Sequence, residues 1–197
     1  MARVVAGRQT TKPRLLVSDA AIQKALAPLI ALPLRCIGRA ADLLWVHFGE
    51  FREIPYRKGG TRTVGDWALH VQCPWQFARP PSILIARSDC FYAADSSEPY
   101  DWDAAGKSRF DGRAGPLNRE FESSPPRVVA VAADSVGGFT LRFDSGHVLE
   151  VFPDDGTVSG SECWRIFRPG RDERHFVFPD ETRAASTHAP RAPTRRE

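Results

Sequence analysis

A β-rich α+β fold, with one N-terminal helix and two similar antiparallel β units packed together, is what the sequence predicts. Three observations lead there. One stretch of helical apolar spacing stands near the N-terminus. A series of short runs rich in β-branched, aromatic and aliphatic residues follows, punctuated by Gly and Pro. A hairpin pattern then recurs in the second half of the chain.

Residues 1–17 carry Arg3, Arg8, Lys12 and Arg14 and no acid. They read as a basic, poorly ordered arm. Ser18 is a suitable N-cap for a helix running to about Ala31, with Ile22, Leu26, Leu29 and Ile30 on one face. Pro28 kinks that helix or ends it early, and Pro33 stops it. Strands are expected at Leu34–Ile37, Asp42–Phe48, Asp66–Cys73 and Ser82–Ala86, completing a helix-plus-first-unit region over 18–92. Residues 93–125 hold few aliphatics among Gly, Pro, Ser and mixed charges, which predicts a long loop excursion. A second unit, 126–179, resumes with strands at Arg127–Ala133, Gly138–Phe143, His147–Phe152, Glu162–Phe167 and His175–Phe178. From 180 to 197 the composition of Ala, Pro, Thr and Arg reads as a disordered tail.

The repeat has particular landmarks. Arg39-Ala-Ala-Asp42 leads into a strand ending at Phe48, and Val131-Ala-Ala-Asp134 into one ending at Phe143. A second strand follows each, Trp67–Val71 and His147–Val151, then a proline (Pro74, Pro153) and an aromatic-centred strand. In the second hairpin the loop Asp144-Ser145-Gly146 suits a type I turn closed by a left-handed glycine. That register sets Leu141 opposite Leu149 and Phe139 opposite Val151 on a core face, with Thr140 and Glu150, and Arg142 beside Val148, on the other.

The first hairpin maps differently. Leu44, Val46 and Phe48 point inward with Leu69 and Val71, leaving Leu43, Trp45, His47, Ala68, His70 and Gln72 outside. That outer face is too apolar to be simply solvated. Either the N-terminal helix covers it, or it meets a partner, a second copy of the chain or a ligand, with Trp45 as anchor. The candidate contact residues are Trp45, His47, His70, Gln72 and Trp75, joined by Tyr100 and Trp102 from the acidic, aromatic excursion.

Of 197 residues, 42% are hydrophobic and 26% charged, enough for a core that needs neither disulfides nor metals. The net charge of +3 resides in the arm, and without residues 1–17 the chain carries about −1. A near-neutral body argues against a phosphate-tracking surface, so nucleic-acid binding through the basic arm is the alternative function. Arg far outnumbers Lys, which fits GC-rich coding in a bacterial source. No apolar run is long enough to span a bilayer, and Ala25–Leu34 is broken by two prolines. With Cys36, Cys73, Cys90 and Cys163 dispersed and no C-x-x-C, a cytoplasmic protein with buried free thiols is expected.

Catalytic patterns are sparse. No phosphate-binding glycine loop and no G-x-S-x-G elbow is present. A second alternative is a small hydrolase or metal-dependent enzyme using His70 with Cys73 or Cys90, assisted by an Asp such as Asp89. His70 and Cys73 lie three apart, however, and so point to opposite faces of a strand. His47 and His70 could share a metal, with Cys36 or Glu50 completing it. No cofactor is expected.

Phe143, Gly146, Leu149, Val151 and Pro153, followed by Glu162 and Trp164, form a Phe-turn-Gly-Leu-x-Val-x-Pro hairpin and a Glu-x-Trp strand. The pattern resembles small uncharacterised bacterial proteins, some of them immunity or accessory proteins encoded near toxins or defence systems. Trp67–Trp75 looks like the same group's first lobe. The resemblance implies a non-enzymatic protein that engages another protein, and it brings no catalytic residues.

Overall fold

The computed structural model describes residues 17–56, 59–95, 101, 104–154 and 162–179. Helix α1 (Asp19–Leu26) starts where Ser18 Oγ accepts the amide of Ala21 at 3.2 Å. Pro28 cannot donate to the α-helical ladder, and the chain tightens into a 3-10 turn over Ala27–Leu29. Ile22, Leu26 and Leu29 are fully buried, while Ile30 is exposed.

Two five-stranded antiparallel sheets enclose the core. The first runs in the order β1 (Leu34–Ala40), β2 (Leu43–Phe48), β5 (Trp67–Val71), β11 (Trp164–Phe167), β12 (Phe176–Phe178). The second runs β8 (Val128–Ala133), β9 (Phe139–Phe143), β10 (Val148–Val151), β6 (Trp75–Arg79), β7 (Ser82–Ala86). A separate hairpin, β3 (Arg52–Pro55) and β4 (Thr61–Val64), is inserted between β2 and β5.

Each sheet therefore combines three strands from one half of the chain with two from the other. The crossings are alike: Phe152 N donates to Pro74 O at 3.0 Å, and Gln72 N to Cys163 O at 2.7 Å. Where β1 and β8 begin, Leu34 N donates to Pro126 O at 2.8 Å and Val128 N to Leu32 O at 3.1 Å.

The β9–β10 register is Leu141↔Leu149, Phe139↔Val151, Thr140↔Glu150 and Arg142↔Val148. Gly146 takes φ +82° in its turn. The period-2 alternation and the loop chemistry together leave that hairpin one register.

Residues 93–125 are not loop throughout, which corrects the expected excursion. Arg109–Ser123 forms helix α2. Ser108 Oγ accepts from Asp111 N at 3.1 Å while the Asp111 carboxylate accepts from Ser108 N, a capping box. Gly112, Gly115 and the internal Pro116 weaken its intrinsic helicity. Packing compensates: Phe110, Ala114, Leu117 and Phe121 form a buried stripe, with Phe110 edge-on to Trp75 and Phe121 edge-on to Phe77.

Each helix guards a sheet edge. Asn118 on α2 both accepts from Ile37 N and donates to Ile37 O, each at 2.9 Å. Gln23 on α1 donates to Val131 O at 2.7 Å and accepts from Ala133 N at 3.2 Å. The amides satisfy edge groups of β1 and β8 that would otherwise template another strand. The core between the sheets leaves a cavity of only about 10 Å³, lined by apolar side chains such as Leu34, Val46, Trp75 and Leu149. It is far below the size of a ligand pocket.

Candidate functional site

The outer face of the first sheet is built by strand alternation. Leu44, Val46, Phe48, Leu69, Val71, Trp164 and Ile166 enter the core, so the residues between them face outward. One cross-strand row reads Gly38–Trp45–His70–Arg165–Val177, and the next reads Cys36–His47–Ala68–Phe167. The rings interlock. Trp45 lies 5.2 Å from His47, His70 meets Phe167 edge-on at 4.8 Å, and Phe167 stacks on His175 at 4.4 Å. Trp45, His47, His70, Arg165, Phe167 and His175 are each half-buried, and Gln72 is exposed.

Arg165 ties the face together. Its Nη2 lies 3.2 Å from His70 Nδ1, its Nε 3.3 Å from Glu162, and its guanidinium covers the Phe167 ring at 5.4 Å. A guanidinium only donates, so His70 Nδ1 is the acceptor and the imidazole proton sits on Nε2. Burial, followed by the charge of Arg165 and then of His47, His175 and Arg62, pulls the His70 pKa down to about 4. Burial likewise lowers His47, helped by Arg62, and His175, helped by Arg165. At neutral pH the face thus presents neutral imidazoles beside fixed guanidinium charges.

The helix that sequence reasoning offered as a cover lies elsewhere. α1 packs on β8, and α2 on β1, β7 and the 3-10 turn Arg87–Phe91. Trp45, His47, His70 and Gln72 do share the expected face. Trp75 is corrected: it is 2% exposed and points into the core from β6, because β6 leaves the first sheet to pair with β10. Tyr100 and Trp102 lie outside the described residues, as do the arm to residue 16 and the tail from 180.

Sequence reasoning missed Arg165, Phe167 and His175. Alternation in Trp164-Arg-Ile-Phe167 marks Arg165 and Phe167 as outward, but nothing local says that β11 pairs with β5. Reading the half-chains as units placed them in a separate lobe.

Thiol chemistry finds no partner in His70. Cys73 pairs with the Cys163 thiol, and that hydrogen bond together with burial drives its pKa far upward. Cys90 lies near Arg39, Asp42, Arg87 and Asp111, and burial pushes it up to about 11. Cys36 shares the outer face with His47 but is also pushed to about 11, first by burial and then by Glu122. Such thiols are poor nucleophiles at neutral pH. Among the described residues no group of three or more His, Cys, Asp or Glu is placed to hold a metal ion. No helix among the described residues is long and apolar enough to cross a membrane.

A second polar cluster docks α2. Arg39, its side chain 4% exposed, makes a paired contact with Asp111 at 2.7 and 3.0 Å. Burial would raise the Asp111 pKa, but the bonds from Arg39 and Ser108 outweigh it and lower it. Buried Asp89 receives Arg113 at 2.9 Å and Arg109 at 3.5 Å. These pairs join α2 to β1 and the 3-10 turn, a structural task.

Comparison with protein-family models, curated proteins and solved structures finds no match for the chain.

Proposed function

We propose that the protein is a non-enzymatic binding protein that engages another protein through the outer face of its first sheet. A single contrast carries this reading. Row for row, the second sheet places Ala132–Thr140–Glu150–Gln76–Ala86 where the first places Gly38–Trp45–His70–Arg165–Val177. The scaffold position is the same, and even the lateral bond recurs, Gln76 to Glu150 at 2.5 Å against Arg165 to His70 at 3.2 Å. Along this row one face is small and polar, and its neighbouring row, Ala130–Arg142–Val148–Ala78–Ile83, holds no aromatic ring. The other gathers the amphipathic rings and the arginine enriched at protein interfaces.

The same alignment supports reading 34–92 and 126–179 as one repeated unit that exchanges its last two strands, the helix that precedes each unit covering the edge of the other. Trp75 opposite Val151 then answers to Trp164 opposite Val71, and Asn118 to Gln23. A protein of an immunity or accessory type, in which one sheet keeps the scaffold and the other carries the contact, fits this arrangement.

Photocrosslinking tests the reading. A benzophenone side chain at Gln72, exposed beside the face, should trap a protein that mass spectrometry identifies and that then binds the purified chain. The same probe at Arg142 on the second sheet should not. Equal trapping from both positions would overturn the assignment.

A further inference from the structure

Three guanidinium groups flank the ring cluster; Arg165 and Arg168 are paired with Glu162 and Glu173, and Arg62 is not paired among the described residues. The groups acting on His70 from every element packed near it are Arg165 on β11, His47 on β2, His175 before β12 and Arg62 on β4. Glu162 is the carboxylate that acts on His175, and it is already engaged by Arg165. Arg62 is exposed, reaches the Tyr56 ring at 5.7 Å, and has no ion-pair partner among the described residues. Arg168 stands over Trp67 at 5.8 Å at the edge of the same surface, its charge met by Glu173 at 3.4 Å. The unpaired, exposed Arg62 beside a half-apolar face, with the Arg165 guanidinium within it, favours an anionic occupant with apolar side chains.

We propose that this face binds an acidic segment of the partner protein, its carboxylates meeting Arg62 and Arg165 and its apolar side chains lying on Trp45 and Phe167. The proposal rests on the docking face described above and adds the chemistry of what docks. A polynucleotide would need a longer track of cations than these few arginines supply, and the chain beyond the basic arm carries about −1. An acidic peptide needs only a few. Guanidinium forks donate to carboxylates in bidentate fashion, and the neutral imidazoles add Nε2–H donors without repelling them.

The test uses the full chain and fluorescence polarisation with three labelled probes: a peptide of alternating Glu and Leu, the same peptide with Gln for Glu, and oligo-dT. The Glu peptide should bind saturably and weaken with salt, and the Gln peptide should bind about tenfold more weakly. Arg62→Gln and Arg165→Gln should each cut the affinity for the Glu peptide and flatten its salt dependence. Arg62 is exposed, so its loss leaves folding intact and keeps the test valid should Arg165→Gln disturb the sheet. Equal affinity for the two peptides, or no saturable binding of either, overturns the proposal. Tighter binding of oligo-dT than of the Glu peptide also overturns it and assigns the face to nucleic acid. If both peptides bind equally and both are lost in Trp45→Ala, the docking face stands and the charge inference alone falls.

Discussion

The indole of Trp45 lies across the α-carbon of Gly38 on the neighbouring strand, so close that a Cβ built on Gly38 would meet the ring at 2.0 Å. Glycine is there because a ring occupies the space above it. The indole is thereby laid flat on the sheet as a platform, with His47 at its side. Gly38→Ala should displace the ring and cost about 1–3 kcal/mol, read by urea unfolding, with a shift in tryptophan fluorescence. Unchanged stability and emission would mean that the platform is not held this way.

The two tryptophans first grouped together should separate in their effects. Trp75→Ala removes a fully buried side chain that touches Phe110 and should cost about 3–5 kcal/mol. Trp45→Ala, on the outer face, should cost far less. Denaturant midpoints of the two variants check this ordering.

Edge protection predicts a further pair. Asn118→Ala leaves both Ile37 backbone groups without their partner, and Gln23→Ala does the same to β8. Each should lower stability by about 1–3 kcal/mol, and because they sit on different helices the losses should add. Unfolding of the single and double variants measures it.

Acid should destabilise the fold through its histidines. His70 titrates near 4 in the folded protein, below its unfolded value, and His47, His147 and His175 are also lowered by burial. Below the unfolded histidine pKa of about 6.5 the unfolded chain takes up protons that the folded chain refuses. Stability should therefore be level above that pH and fall between it and about 4. His70→Gln, which can still accept from Arg165, should shallow the slope. A melting temperature that stays flat across this range would contradict these assignments.

How much was legible in the sequence depended on how local the determinant was. Ser18 and Pro28 mark the start and end of α1, and Asp144-Ser145-Gly146 with flanking alternation sets the β9–β10 register, because each signal lies within a few residues of what it controls. The outward set Trp45, His47 and His70 follows from the same period of two. Helix α2 was hidden by Gly112, Gly115 and Pro116, though the Ser108–Asp111 capping box and the Phe110, Ala114, Leu117, Phe121 spacing were there to read. The exchange of β6 and β11 was not readable. Both are Trp-led strands after a repeated hairpin, and pairing with the other half satisfies the same pattern as pairing with their own. That ambiguity moved Trp75 onto the site and kept Arg165, Phe167 and His175 off it.

The central claim is that the ring-and-arginine face of the first sheet is the binding surface. Its most direct measurement is the affinity of the crosslinked partner, purified and titrated calorimetrically, for wild type and for Trp45→Ala. A loss of about tenfold or more, with the variant's melting temperature close to wild type, is the result expected of an interface anchor. Undiminished affinity in a folded Trp45→Ala protein would contradict it.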